Sequence, residues 1–140
     1  MSTETDNLII ATPVPDNKRL DFMPGLFGRR VMTAEATLYH IMETLCPSYN
    51  GAYWEFVTLS NGGCYMYPKL ERPMLLYWDG NDFQAETDAE VAGIIATFFT
   101  ISAFFNSELQ ERLVEVHYAL RDYIFTLEDA RKMTILRALD

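Results

Sequence analysis

The sequence predicts an α+β fold, a single domain over residues 1–140 in which a small antiparallel meander of three to four strands packs against about four helices. Three observations carry that prediction. Aromatic runs Tyr53-Trp54-Glu55-Phe56 and Cys64-Tyr65-Met66-Tyr67 flank Leu59-Ser60-Asn61-Gly62-Gly63, where Asn61 and Gly62 accept positive φ cheaply; this is hairpin chemistry. Beyond Thr87 the apolar residues recur at helical spacing. With 49% hydrophobic residues, a chain of 140 residues buries roughly 70% of its unfolded surface, enough for a core without staples.

Residues 1–32 form an irregular N-terminal arm in this reading, because Pro13, Pro15 and Pro24 interrupt any regular pattern. Leu8 to Thr12 allow one short strand, a fourth for the sheet. Leu20, Phe22, Met23, Leu26 and Phe27 pack the arm on the core, with Gly25 and Gly28 at tight turns. Thr33 then caps a helix to about Leu45, whose buried face is Leu38, Ile41, Met42 and Leu45. Pro47 and Gly51 turn the chain. Strands follow at about 53–59, 64–68 and 74–78, the last closed by the turn residues Asp79-Gly80-Asn81-Asp82.

Thr87-Asp88-Ala89-Glu90 has the spacing of a capping box, opening a helix to about Phe105 that is apolar on most faces and therefore central. Ser107 with Gln110 repeats the box for a helix whose buried face is Leu109, Leu113, Val116, Leu120, Ile124 and Leu127. Thr126 breaks it and caps a last helix through about Leu139.

A net charge of −9 argues against direct nucleic-acid binding, which needs clustered Lys and Arg to neutralise phosphates. Cys46 and Cys64 are too few for a disulfide framework or structural zinc site. Met1 to Asn7 are polar and acidic where a secretory leader is basic, and the apolar run Val91 to Phe105 is too short for a membrane span. A cytoplasmic protein with no membrane attachment is expected.

No catalytic set stands out. His40 or His117 with Cys46 or Cys64 would make an activated thiol, but Cys46 ends an amphipathic helix and Cys64 lies in a strand, positions of small buried hydrophobes. Asp79, Asp82, Glu86, Asp88 and Glu90 offer hard oxygen ligands for a metal, yet turn chemistry explains the first two, the helix dipole Asp88 and the capping box Glu90. No glycine-rich loop leads from a strand into a helix, so no nucleotide and no cofactor is expected. Glu108, Glu111, Glu115 and Asp122 fall near one helical face and pose the question of DNA mimicry. They space about one charge per 7 Å, against about one per 1.7 Å in duplex DNA, and Arg112 and Arg121 dilute them. Glu108 and Arg112 have the spacing of an ordinary surface ion pair. A candidate interaction surface is the aromatic and acidic set Tyr49, Tyr53, Trp54, Asn61, Tyr65, Tyr67, Asp79 and Asp82, since Tyr and Trp are favoured anchors. That surface exists only where the arm leaves the sheet open.

The stretch Leu45-Cys46-Pro47-Ser48-Tyr49-Asn50-Gly51-Ala52-Tyr53-Trp54-Glu55-Phe56, then Leu59 to Gly63, resembles the core of the KlcA/ArdB antirestriction family. Leu26-Phe27-Gly28 and Leu120-Arg121-Asp122-Tyr123 extend the resemblance, which runs from about Leu20 to Asp140. Ala52 departs from it, standing where the family often has another glycine. The resemblance implies a mixed α/β fold, bacterial mobile elements as carriers, and a non-enzymatic protein that protects incoming DNA from type I restriction. The implied partner is the type I restriction-modification system, contacted directly or indirectly. A DNA-mimic inhibitor and a small hydrolase or metal-dependent enzyme are the alternatives.

Overall fold

A computed structural model describes residues 8–105 and 107–139; the reading of Met1 to Asn7 lies outside them. Among the described residues there are five strands and five α-helices. Gly62 takes φ +93°, and its amide donates to the Leu59 carbonyl at 3.0 Å. This turn joins strand β2 (Trp54–Leu59) to β3 (Cys64–Pro68), paired antiparallel with Phe56 opposite Met66. Asn61 keeps an ordinary φ and contributes its side chain instead. Its carboxamide accepts from the Gly63 amide at 3.1 Å and donates to the Ala119 carbonyl at 2.8 Å, pinning the hairpin tip to a helix. On the far edge of β2 lies β1 (Ala11–Pro13), with Ala11 opposite Leu59.

The expected meander is corrected at its third strand. Strand β4 (Met74–Trp78) does not pair with β3; it turns through a 3-10 segment at Asp79–Asn81, with Asp82 at φ +58°, and returns as β5 (Phe83–Thr87). The strands therefore form two antiparallel sheets, β1-β2-β3 and β4-β5. A helix on the free edge of β3 is the reason.

That helix, α3 (Ala89–Ala103), is the expected central one, buried at Val91, Ala92, Ile94, Ile95, Ala96 and Ile101. A Cβ on Gly93 would come within 2.2 Å of the Tyr67 Cβ and 2.4 Å of the Met66 carbonyl oxygen, so helix and strand backbones touch. One turn further, the buried Thr97 hydroxyl accepts from the Met66 amide at 3.0 Å and donates to the Met66 carbonyl at 3.1 Å. The two edge groups a neighbouring strand would have bonded are thus satisfied by one side chain.

Helix α1 (Arg19–Phe27) corrects the irregular arm. Pro24 lies within it and cannot donate to the Leu20 carbonyl, but Leu20 is 90% exposed, where the lost bond costs least. Gly28, at φ +56°, ends the helix. Helix α2 (Val31–Leu45) starts two residues before Thr33, which is not its cap. It buries Leu38, Ile41, Met42 and Leu45, as their spacing predicts. Asp88, and not Thr87, caps α3, accepting from the Val91 amide at 2.8 Å, because Thr87 is engaged in β5. Ser107 shapes the turn before α4 (Gln110–Ile124), donating to the Phe104 carbonyl at 2.6 Å, and forms no box with Gln110. Thr126 bonds back to the Tyr123 carbonyl at 2.7 Å and does not cap α5 (Asp129–Leu139).

Replacing Gly93 by alanine forces atoms into strand backbone that cannot yield, and is expected to destabilise the fold by about 3 kcal/mol. Thr97→Val leaves the Met66 amide and carbonyl buried without partners and is expected to cost about 2–4 kcal/mol. Urea midpoints of the two variants measure both effects; midpoints at the wild-type value would refute the close contact.

Candidate functional site

Trp54, the first residue of β2, has a relative exposure of 5% and packs in the core beneath other aromatic rings. Its indole N–H donates to the Tyr49 hydroxyl at 2.9 Å, and the two rings meet edge to face with centroids 6.3 Å apart. Tyr39, from α2, tilts against Trp54 at 5.7 Å. The loop from Pro47 to Tyr53 carries Tyr49 into place, turning at Gly51, whose φ of +110° suits only glycine. These rings, with Glu43, Asn50, Gly51 and Ala52, line an open cavity of about 460 Å³. Burial, with the charge of Glu35 and the neighbouring Tyr49, raises the Tyr39 phenol above its ordinary pKa.

On the other side of Trp54, helix α1 covers part of the sheet. Phe22 stacks on Phe56 at 4.8 Å, and the Arg19 guanidinium stands 4.3 Å from the centre of the Tyr53 ring and 4.7 Å from that of Phe56. Arg19 also donates to the Trp54 carbonyl at 2.6 Å and pairs with Glu55 at 3.8 Å. Tyr53 stays 54% exposed beside Arg19, and an open cavity of about 410 Å³ remains between the arm and the sheet, so the aromatic face is open on both sides of the buried Trp54.

The remaining members of the aromatic and acidic set lie elsewhere. Tyr65 is fully buried, stacked on Tyr123 at 5.8 Å, and donates to Glu90 Oε2 at 2.6 Å. It belongs to the core and to no surface. Arg131 from α5 donates to Glu90 Oε1 at 2.9 Å and reaches Asp88 at 3.3 Å, tying the start of α3 to the last helix. Burial first, then the bond to Glu90, holds the Tyr65 phenol well above its usual value. Tyr67 is partly exposed beside this cluster. Asn61 is exposed but committed to Ala119. Asp79 and Asp82 are exposed on the β4–β5 turn, where Asn81 donates to the Ala138 carbonyl at 2.7 Å. Sequence reasoning missed Tyr39, Glu43 and Arg131. Glu35, Tyr39 and Glu43 follow at four-residue intervals off the apolar face of α2, a signal available in the sequence.

The rival chemistries are not assembled among the described residues. His117 is packed against Phe98 at 4.2 Å and Phe105 at 5.2 Å, its Nδ1 buried without a partner. Cys64 is buried and its thiol is pushed up to about 12, while Cys46 contacts Ser48 at 3.3 Å and neither histidine. Asp79, Asp82, Glu86, Asp88 and Glu90 are dispersed over a turn, a strand and a helix start, and no group of three potential metal ligands comes together. Glu108 precedes α4 and does not pair with Arg112. Arg29 and Arg30 hold it at 3.1 Å each, and these bonds, Arg30's foremost, pull its carboxyl down to about 2. No described helix is long and apolar enough to cross a membrane.

Comparison with known proteins agrees with this architecture. A family model described as "Antirestriction protein" matches residues 47–140. An Escherichia coli antirestriction protein KlcA is 37% identical over the full length of both chains. The uncharacterized protein YafX of Escherichia coli K12 is 33% identical, covering 94% of this chain and 88% of its own. Among solved structures, one matches with a TM-score of 0.82 at 36% identity, covering 94% of this chain and 95% of that one. It is described as showing that KlcA and ArdB have a novel fold and antirestriction activity against type I DNA restriction systems in vivo but not in vitro.

Burial first, and then the positive charge of Arg121, lowers the His117 pKa from its ordinary value of 6.5. The unfolded chain thus binds a proton that the native fold resists. The resulting stability is complete above the ordinary imidazole pKa and is lost as pH falls through the folded value. Thermal midpoints measured between about pH 5 and 8 should fall more steeply on acidification for the wild type than for His117→Gln. Parallel curves would show that His117 titrates as it does in the unfolded chain.

Proposed function

The chain belongs to the KlcA/ArdB antirestriction family, and from that premise we propose that it protects incoming DNA in the bacterial cytoplasm by inhibiting type I restriction. It does so through protein contacts, without catalysis and without imitating DNA. The likeness of the whole fold to proteins active against type I systems in vivo carries this reading. That those proteins act in vivo but not in vitro favours an effect that needs a further component of the cell.

Charge placement supports protein contact over mimicry. With Glu108 held by Arg29 and Arg30, the stripe retains Glu111, Glu115 and Asp122, three carboxylates over about 17 Å of helix. A duplex presents roughly ten charges in that length. The enzymatic alternative has no support in the surroundings of His117, Cys46 or Cys64. The aromatic face around Trp54 is the surface best suited to a partner, because large rings and polar tips meet there at low entropic cost.

Unmodified phage plated on a host with a type I system should survive better when this chain is expressed, while methylation by the same system continues. Equal plating with and without the chain would overturn the reading. A Glu111→Gln, Glu115→Gln, Asp122→Asn triple variant is expected to protect as well as the wild type. Loss of protection in that variant, with its fold intact by circular dichroism, would favour mimicry.

A further inference from the structure

We infer that the slot between Tyr39, Tyr49 and Trp54 receives an arginine side chain of a partner protein, with Glu43 as its counter-ion. Tyr39 and Tyr49 line the slot on either side of Trp54, which contributes the 5% of its surface that stays exposed, and an aromatic face attracts a cation within about 6 Å. Glu43 stands at the rim one helical turn from Tyr39, and Glu35 one turn the other way. Neither carboxylate forms an ion pair among the described residues, whereas Glu55, Asp88, Glu90, Glu108 and Asp129 all do.

The protein itself displays the ligand that such a slot takes. On the opposite side of Trp54, Arg19 lies over Tyr53 and Phe56, pairs with Glu55 and donates to a backbone carbonyl. The open slot repeats the aromatic walls and the carboxylate and holds no cation of its own. A guanidinium fits better than an ammonium, because it is planar, stacks on rings and is more weakly hydrated. The net charge of −9 favours encounter with a basic protein segment over nucleic acid, and Glu43 places one of those charges at the slot's rim. The biological use of the slot rests on the protein-contact reading above; the binding itself does not.

The test is a titration of the ¹⁵N-labelled protein with a tri-arginine peptide, followed at the Trp54 indole N–H. The expected result is a saturable shift of that resonance while the Trp78 indole stays in place. Glu43→Gln, a change at an exposed position, should weaken binding about tenfold. Absence of saturation, equal affinity for the Glu43→Gln variant, or an equal shift with tri-glutamate or duplex DNA would overturn the inference. The same variant should lose protection in the phage assay. Peptide binding by a wild type that fails to protect DNA would refute the restriction reading and uphold the slot. Full protection by Glu43→Gln alongside a protecting wild type would uphold the restriction reading and remove the slot from it.

Discussion

Helix α3 reaches the backbone of β3 because residue 93 has no side chain, and Thr97 then bonds both edge groups of Met66. A helix normally stands about 10 Å from a sheet, resting on side chains; here it lies beside the edge strand and terminates the sheet. With that edge occupied, β4 has no access to β3 and must find its partner in β5. Gly63 repeats the device at the hairpin tip, where a Cβ would meet the Ala119 Cβ and the Leu120 amide nitrogen at 3.0 Å. Two missing side chains thus seat α3 and α4 on one hairpin. The opposite part of β2 is left for α1 and α2, and that is where Trp54 and its cavity arise.

Local chemistry made much of this legible. The turn at Gly62, the aromatic strands on either side and the helices after Thr87 follow from residue type and period alone. The all-round apolarity of Val91 to Ile101 identified α3 as central, although its docking on a strand edge lay outside any pattern. What escaped depends on distant partners. In β5, Phe83 is buried while Gln84 and Glu86 are exposed, an alternation with meaning only once β4 lies beside it. Pro24 and Gly25 hid α1, whose helix is held by burial of Met23, Leu26 and Phe27 more than by propensity.

The shifted cap at the start of α3 links these misreadings. The capping-box spacing placed the N-cap at Thr87, and pairing of Thr87 with Met74 in the sheet removes it from that role. Asp88 then caps alone, and Glu90, no longer tied to the helix end, turns to Tyr65 and Arg131. A carboxylate accounted for by capping in the sequence becomes the centre of a partly buried network between β3, α3 and α5. The buried Tyr65 follows from the same event, since its hydroxyl finds an acceptor only because Glu90 is released.

The same logic separates ordinary acidity from a binding surface. Arginines 19, 29, 30 and 131 are paired with carboxylates of the same chain, and with 20 acidic against 11 basic residues the unpaired groups that remain are mostly carboxylates. On α4 these stand in open solvent, where an ion pair gains little against the entropy of ordering two long side chains. Glu43 differs in its surroundings, not its charge: Tyr39, Tyr49 and Trp54 strip water from whatever cation enters and add their own attraction. Each contribution alone is weak, and Arg19 shows them acting together in a single guanidinium held by two rings, a carboxylate and a carbonyl. An acidic protein acquires specificity for a partner where its charge coincides with a desolvating wall; the cavity under α1 also joins a carboxylate, Glu35, to aromatic rings, but Arg19 already occupies it, whereas the slot at Glu43 has no cationic side chain in its lining.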